Sequence, residues 1–455
     1  MKKIIILFVC SLISNIIYAQ IWSAVGNGVN GRVSSFAIYN GELYVGGQFN
    51  NPGGSTHFGL LKWNGVSFDT LPGNYLFGSS RIEAMAVYNN ELYLGGAFCP
   101  NCGPVPSIFT CIAKWNGTTF TSVGTGCDNV VYSMAVYNGN LYVGGDMQSA
   151  GGIIANGIGR WDGTQWSSVA GGINGNARVF KLEVYNNELY AAGNFNFAAL
   201  NTSCIARWND AAWNEVGPGG IPGVVYALGT YNNELYAGGP YFTLAGGVPV
   251  NEIARWNGTT WSAAGSGIGL NVGSIATFKE YNNELYAGGY FSIMDGDSIK
   301  SISRYNGAIW NSVGTGVDST NIIVDSIFGY PVYAPHEVYA LIEFNNELYA
   351  GGTFNMIGGV TAHNIAKWST PVGIEELSAL NSVHIFPNPT SNKIFIDCYE
   401  QNTFYELHDI FGKLLSRGNV STKKFEINLQ DFLSGIYILS VGNNEKLSYK
   451  KIIKQ

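Results

Sequence analysis

A nine-residue segment recurs seven times in this chain of 455 residues and restricts its fold more than any other feature of the sequence. The first copy reads Tyr-Asn-Gly-Glu-Leu-Tyr-Val-Gly-Gly at residues 39–47. A β-branched residue lies six positions before each copy, and a Trp or Tyr lies 15 to 19 positions after its second glycine. A regular spacing of roughly 20 to 50 residues is typical of proteins built from one repeated structural unit. The seven copies begin at Tyr39, Tyr88, Tyr137, Tyr185, Tyr231, Tyr281 and Phe344.

Each repeated unit predicts two β-hairpins. The first hairpin has Asn-Gly or Asn-Asn between its strands, as at Asn40–Gly41, and the second has a pair such as Asn64–Gly65. Such pairs favour the two-residue type I′ turn, because both of its central residues need a positive φ. With that turn, the aromatic residues flanking it become diagonal neighbours on one face of the hairpin. The paired glycines of the second strand allow neighbouring sheets to approach closely.

Seven four-stranded units in series predict an all-β fold, a seven-bladed β-propeller. The seventh unit stops at Trp368 without a fourth strand, and the segment Ile21–Gly26 matches the fourth-strand segment Ile309–Gly314 of the sixth unit. We therefore predict that an N-terminal strand completes the last blade and closes the ring. The unit resembles the kelch/galactose-oxidase-like propeller, although its Lys/Arg-Trp-Asn-Gly third strand departs from the kelch pattern. That resemblance implies the fold and no particular activity.

The N-terminus predicts export. Lys2 and Lys3 precede an apolar stretch that ends near residue 17, a signal-peptide pattern with cleavage between Ala19 and Gln20. No later run approaches the ~18 consecutive apolar residues of a spanning helix, so we expect no membrane span in the mature form. A net charge of −7 and a pI near 5.3 argue against a nucleic-acid partner, which needs a clustered basic face.

The C-terminal segment differs from the repeats and contains only four of the 60 glycines, while short alternating segments there predict a small β-sandwich. Its blocks are Val-His-Ile-Phe-Pro-Asn-Pro-Thr at 383–390, Asp-Ile-Phe-Gly-Lys at 409–413, Leu-Ser-Gly-Ile-Tyr at 433–437 and a Lys-rich end. Together they resemble the type A C-terminal sorting domain of the type IX (Por) secretion system. The resemblance implies that the type IX machinery is a partner and that the protein is secreted, extracellular or on the outer-membrane surface. The motif residues are Pro387, Asn388, Pro389, Asp409, Gly412, Gly435, Tyr437 and Lys451.

The predicted organisation is a signal peptide at 1–19, the propeller at 20–373, a linker at 374–382 and the sorting domain at 383–455. Four cysteines cluster in the second unit and the connection after it. In an exported protein we expect them to form disulfides, with zinc binding or a redox-active Cys-x-x-Cys as alternatives. Sequence cannot choose among their three pairings. The candidate disulfide residues are Cys99, Cys102, Cys111 and Cys127.

Features that differ between units are candidates for function, because binding residues often lie on loops held by a rigid scaffold. The connection from Asp318 to His336 is long and aromatic, and it is either a ligand platform or a plain surface insertion. The carboxylates of Asp295 and Asp297 are weaker candidates for calcium. Basic residues precede each third-strand aromatic, and glutamates recur at the first turns. Together they form either an ion-coordinating or anion-binding ring, or repeated ion pairs or cation–π stacks between strands. The candidate ligand-loop residues are Asp325, Tyr330, Tyr333 and His336.

No catalytic motif is recognisable, and no cofactor is predicted. A copper site of the galactose-oxidase type needs a convergent His/Tyr/Cys set, and the predicted propeller contains only three histidines, at 57, 336 and 363. Gly-x-Ser-x-Gly, His-Glu-x-x-His and P-loop signatures are missing from the sequence. We therefore expect a secreted or cell-surface binding protein, whose ligand is a glycan or a surface protein. The alternatives are a propeller enzyme (lyase, hydrolase or oxidase) and a structural adhesion component.

Overall fold

The computed structural model describes residues 20–50, 58–73, 81–98, 108–174, 176–197, 200, 202–269, 273–318, 322–327, 330–334, 336–369, 383–398, 403–409, 413–442 and 447–455. The predicted signal peptide at 1–19, including Ala19, and the predicted linker at 374–382 lie outside these residues. Gln20–Thr370 form one compact unit, and the residues from Val383 onwards belong to another.

Within Gln20–Thr370, the described residues form seven antiparallel four-stranded sheets and no α-helix. We number the sheets by their first strands in chain order. The first strands are Arg32–Tyr39, Arg81–Tyr88, Val131–Tyr137, Arg178–Tyr185, Ala227–Tyr231, Ser274–Tyr281 and Glu337–Phe344. The second strands are Glu42–Asn50, Glu91–Ala97, Asn140–Gly145, Glu188–Phe197, Glu234–Gly238, Glu284–Tyr290 and Glu347–Thr353. The third strands are Phe58–Trp63, Ile112–Trp115, Ile158–Trp161, Thr202–Trp208, Ile253–Trp256, Ile302–Tyr305 and Ile365–Ser369. The fourth strands are Phe68–Asp69, Phe120–Ser122, Trp166–Ser168, Trp213–Asn214, Trp261–Ala263, Trp310–Ser312 and, for sheet 7, Ile21–Ala24.

The N-terminal strand Ile21–Ala24 pairs antiparallel with the third strand of sheet 7, with Trp22 opposite Trp368. This is the pairing that the match to Ile309–Gly314 predicts. Trp22 is 4% exposed, and its indole N–H donates to the carbonyl of Val313, after the fourth strand of sheet 6, at 3.0 Å. The chain therefore joins its first described strand to its seventh sheet.

The two hairpins of each unit turn differently. Asn89 and Asn90, between the first two strands of sheet 2, have φ values of 48° and 58°, as the type I′ prediction requires. The second hairpin corrects the prediction, because its loop has four residues. Asn64 begins one such loop and its side-chain oxygen accepts the backbone N–H groups of Val66 and Ser67, both at 2.9 Å. The flanking aromatics are consequently directly opposite each other rather than diagonal, as at Trp63 and Phe68, whose ring centroids are 4.8 Å apart.

Neighbouring sheets pack closely where the paired glycines lie. A Cβ atom added at Gly95 would lie 2.4 Å from a methyl carbon of Val131 in the next sheet. A Cβ at Gly96 would lie 2.0 Å from the carbonyl oxygen of Arg81 in its own sheet. Real Cβ atoms do not approach other atoms so closely, which explains why both positions need glycine.

The first strands of consecutive sheets contact each other in chain order, and the first strand of sheet 7 also contacts that of sheet 1. Two kinds of hydrogen bond cross these junctions. The Tyr ending a first strand donates to a turn carbonyl of the next sheet, in the pairs Tyr39–Asn90, Tyr88–Gly139, Tyr137–Asn187, Tyr185–Asn233, Tyr231–Asn283 and Tyr281–Asn346. The fourth-strand Trp donates to a carbonyl of the preceding sheet's outgoing connection, in the pairs Trp166–Val123, Trp213–Val169, Trp261–Val216, Trp310–Ala264 and Trp22–Val313. At the junction of sheets 7 and 1, Phe344 and Phe68 occupy these positions and carry no polar group to donate.

Five two-stranded hairpins supplement the sheets of this unit in the described residues. They pair Ser149–Ala150 with Ile153–Ile154, Leu244–Ala245 with Val248–Pro249, Ile293–Met294 with Asp297–Ser298, Ile322–Ile327 with Tyr330–Ala334, and Met356–Ile357 with Val360–Thr361. All five follow a second or a fourth strand, so they lie at the sheet ends opposite the Asn-containing turns. We call this the loop end.

The C-terminal unit contains two antiparallel sheets around a shared apolar core that includes Ile396, Leu407, Leu439 and Ile452. The three-stranded sheet has the order Val383–Phe386, Lys393–Cys398, Lys424–Asn428. The four-stranded sheet has the order Leu414–Val420, Thr403–Asp409, Gly435–Gly442, Leu447–Lys454.

Candidate functional site

A β-bulge occurs at the same position in the first strand of six sheets. In sheet 1 the pairing register shifts between Val33 and Ser35, and equivalent shifts occur in sheets 2, 3, 4, 6 and 7. In sheet 5 the equivalent residue, Tyr226, directly precedes the first strand. A bulge leaves one residue out of the ladder and re-aims its side chain. The residues at this position are Ser34, Glu83, Tyr132, Phe180, Tyr226, Ala276 and Tyr339.

All seven of these bulge-position residues line one cavity of about 550 Å³. Each sheet thus contributes one side chain to the cavity, which we call the central cavity. Its volume lies within the roughly 300–1,000 Å³ of small-molecule pockets. The bulge-position residues differ from sheet to sheet, whereas the residue before them is Val or Ile in all seven copies.

One side of the central cavity is aromatic. Phe180 of sheet 4 packs edge to face between Tyr132 of sheet 3 and Tyr226 of sheet 5, with ring centroids 5.2 and 5.1 Å away. Tyr226 is 38% exposed, so part of this surface is open to a ligand. We call these three residues the aromatic arc.

The opposite side, from sheets 7, 1 and 2, is charged. Glu83, whose side chain is 8% exposed, pairs with Arg81 and with Arg32 Nη2 at 3.3 Å. The Arg32 guanidinium lies 3.9 Å from the centroid of the Tyr339 ring, a cation–π contact. Burial raises the pKa of Glu337 and of Tyr339. Ion pairs and a cation–π contact thus join the side chains of Arg32, Arg81, Glu83 and Tyr339 on this side of the cavity.

A second cavity of about 870 Å³ lies at the loop end of sheets 3 to 5. Asp146 and Arg178 at its edge form an ion pair of 3.2 Å. Five side-chain amides line it, and we call it the amide groove. They belong to Gln148, Asn174, Asn176, Asn194 and Asn196.

The repeated basic and acidic residues form ion pairs within their own sheets. Six such pairs join a third-strand Lys or Arg to the glutamate that starts the second strand, at 2.7 to 3.1 Å. In sheet 3, where Asn140 replaces the glutamate, Arg160 Nε donates to Ser167 Oγ at 2.7 Å. The contacts therefore match repeated ion pairs within the sheets, one of the two interpretations that the sequence left open.

The predicted cysteine cluster is only partly described. Cys111 and Cys127 are buried free thiols, which corrects the disulfide prediction for these two residues. They pack in one apolar cluster, and the Cys127 N–H donates to the carbonyl of Thr110 at 3.0 Å. Burial raises the pKa of Cys111 to about 11. Cys99 and Cys102 lie outside the described residues, so their pairing remains a prediction.

No group of three or more His, Cys, Asp or Glu side chains in the described residues is arranged to hold a metal ion. Asp295, a weak calcium candidate, instead accepts backbone N–H groups of Ser266, Gly267 and Trp310. Its carboxylate therefore links the two-stranded hairpin at residues 293–298 to the backbone before the first strand and at the fourth strand of sheet 6.

The predicted ligand loop forms a hairpin in the connection before sheet 7. Asp325 lies on its first strand, and Tyr330 and Tyr333 lie on its second. His336 follows the hairpin, where its carbonyl accepts the Ser301 hydroxyl at 3.0 Å and burial lowers its pKa. His336 directly precedes Glu337, which lines the central cavity. A ligand role for these four residues remains a prediction.

The sorting-motif residues hold the C-terminal strand of their own unit. The Asn388 side chain donates to the carbonyl of Lys451 at 2.6 Å and accepts the N–H of Ile453 at 2.8 Å. Asn388 lies between Pro387 and Pro389. Because its amide bonds two backbone groups of one strand, this motif fixes the end of the chain.

The other motif blocks make local contacts. Asp409 accepts the N–H of Lys413 at 2.9 Å through Oδ1, closing the turn between two strands. The Tyr437 hydroxyl donates to the carbonyl of Leu433, and Gly435 pairs with Lys454. Gly412 lies outside the described residues.

Residues 384–455 match a family described as a secretion system C-terminal sorting domain. This is a type IX sorting domain. The protein is therefore a secreted or cell-surface protein. In the described part of the chain, no helix has the length and apolar character that a membrane crossing requires. No curated protein matches the chain.

PorZ and the extracellular domain of BT4673 are two of the solved structures that match the chain. One is PorZ, described as an essential bacterial surface component of the type IX secretion system of Porphyromonas gingivalis, with 13% identity and a TM-score of 0.46. The match covers 95% of this chain and 60% of the PorZ chain, so this chain spans about three fifths of PorZ. The other is the extracellular domain of BT4673 from B. thetaiotaomicron, with 10% identity and a TM-score of 0.37, covering 93% of this chain and 68% of that chain.

Proposed function

We propose that this protein is a binding protein exported by the type IX route, whose N-terminal unit is a seven-bladed, kelch-like propeller. Its ligand, a glycan or a surface protein, binds at the loop end of the central cavity. The cyclic contacts among the seven first strands support the propeller. The pairing of the N-terminal strand with sheet 7 supports closure of the ring.

The bulge positions carry the proposal for binding. Framework residues such as the first-strand Val or Ile recur in every sheet because each sheet must pack in the same way. The bulge-position residues make no such repeated contact, and they range from Ala276 to Tyr339 while all of them line the central cavity. Side chains that vary on a rigid scaffold are typical of ligand recognition.

Binding assays on the mature chain test this proposal. The chain would be applied to a glycan array and to intact cells that display surface proteins. Phe180→Ala removes the centre of the aromatic arc, and loss of a buried aromatic anchor weakens binding about 30-fold. Ile309→Ala is the control, because Ile309 is 54% exposed in a turn at the opposite end of the sheets.

Retained binding in Phe180→Ala would contradict the proposed site. Conversion of a bound compound to product would favour the alternative of a propeller enzyme. A wild-type chain that binds no glycan and converts no compound to product would favour a structural adhesion component.

A further inference from the structure

The amide groove and the central cavity adjoin at the start of sheet 4. Arg178 lines the groove, and Phe180, two residues later, lines the cavity. Burial raises the pKa of Tyr132 in the cavity, and the charges of Asp146 and Arg178 at the edge of the groove act on the same hydroxyl. A single extended ligand can therefore occupy both.

The amide groove suits a ligand rich in hydroxyl groups. Each Asn or Gln amide has two N–H donors and one carbonyl acceptor, and each sugar hydroxyl both donates and accepts. Gln148, Asn176, Asn194 and Asn196 are exposed in the groove, so these side chains are accessible to a ligand. The Asp146–Arg178 pair supplies equal and opposite charges, which leaves the groove electrically neutral.

The central cavity instead combines an apolar surface with a charged one. Arg32 and Arg81 line its charged side with Glu83 and Glu337, and Lys181, on sheet 4, lies 3.7 Å from Glu183. The aromatic arc offers the apolar faces on which a sugar ring stacks.

Polar atoms without partners lie on the charged side of the cavity. Arg32 Nε and the hydroxyl oxygens of Ser34 and Ser35 are buried without a hydrogen-bond partner, and Ser35 is 8% exposed. Buried polar groups normally have partners, so these three point to an acceptor that a ligand supplies.

We propose that the ligand is an acidic oligosaccharide. Its terminal carboxylated sugar stacks on the aromatic arc with the carboxylate toward Arg32 and Ser35, and its following neutral hydroxyls lie in the amide groove. This inference rests on the proposed function and names the ligand class of the same site. Arginine binds carboxylates strongly, because its planar fork of donors matches the two oxygens.

Calorimetry on the mature chain tests the proposal. The probes are trisaccharides in which a terminal galacturonic, glucuronic or mannuronic acid is followed by two neutral hexoses, each as the free acid and as the methyl ester, together with the monosaccharide acids. At least one acid should bind, and its ester should bind about 10- to 100-fold more weakly because the ester has lost the charge. Arg32→Gln should weaken the acid by a similar factor and leave the ester unchanged. Arg417→Gln, the same charge change in the C-terminal unit, is the control.

A separate variant tests whether the ligand also binds in the amide groove. Asn194→Ala should weaken the trisaccharide acid and leave the monosaccharide acid unchanged. Equal affinity for acid and ester, or an unaffected Arg32→Gln variant, overturns the acidic ligand. If a probe binds in either of these cases and its binding is lost in Phe180→Ala, the proposed function stands. Binding that survives both Phe180→Ala and Arg32→Gln contradicts both proposals, and failure of every acid to bind overturns the ligand class.

Discussion

Replacement of Trp22 by Ala measures how much the N-terminal strand stabilises the unit through its pairing with sheet 7. The ring centroid of Trp22 lies 5.2 Å from that of Trp368, and its N–H donates to Val313 at 3.0 Å. Two glycines approach the indole closely, and a Cβ added at Gly358 or Gly314 would lie 2.5 or 3.2 Å from its Cδ1. Neither glycine has a side chain that could fill the space left by the indole.

The expected loss follows from burial. A Trp side chain removes about 200 Å² from water, worth about 5 kcal/mol at ~25 cal/mol per Å². Core Trp→Ala changes cost about 3–5 kcal/mol, and an unfilled space places this one at the upper end. Loss of the hydrogen bond to Val313 adds about 1 kcal/mol. We therefore expect Trp22→Ala to lower the free energy of unfolding by about 4–6 kcal/mol.

Urea unfolding of the mature chain, followed by circular dichroism, measures this loss. Ile21→Ala is the matched control, because Ile21 lies on the same strand and is 38% exposed. Its cost should stay below about 1 kcal/mol. Deletion of residues 20–26 should cost at least as much as Trp22→Ala. If the two point variants unfold within about 1 kcal/mol of each other, the closure argument is wrong.

Two further changes test other parts of the N-terminal unit. Phe344→Tyr should donate a new hydrogen bond to the carbonyl of Gly41 across the junction of sheets 7 and 1. It should raise the free energy of unfolding by about 1 kcal/mol in urea, and no gain would show that the carbonyl is out of reach. Cys111, whose pKa burial raises to about 11, should resist iodoacetamide at pH 8 until the chain unfolds, as mass spectrometry can measure. The pKa of this thiol is about 11 in the folded state and near 9 in the unfolded state. The free energy of unfolding that Cys111 contributes is therefore complete below pH 9, and it is lost as the pH rises through about 11. Cys111→Ala should therefore show a smaller fall over that interval, and an equal fall would contradict the assignment.

The sheet framework could be predicted from the sequence because it depends on residues that recur. Trp22 matches Trp310, and each occupies the fourth strand of its sheet. The paired glycines mark close approach, as at Gly95 beside Val131. A repeated residue reports a repeated contact, so its role follows from any one copy.

The central cavity could not be predicted in the same way. Its residues share a bulge and no chemical type, so a search for recurring residues passes over Ser34, Glu83 and Tyr132. The signal present was positional, since each follows directly after the repeated Val or Ile. The loop at Asn64 is longer than the two-residue type I′ turn that its Asn-Gly pair predicts, because the Asn side chain accepts two backbone N–H groups and stabilises four residues.

The bulges separate the residues that determine stability from those that face the cavity. Each bulge-position side chain lies outside the repeated ladder, so it can be exchanged without disturbing the register of its strand. Changes at these seven positions, one in each sheet, would therefore alter the lining of the cavity while each strand keeps its register. A library restricted to these positions would explore recognition while leaving the scaffold unchanged.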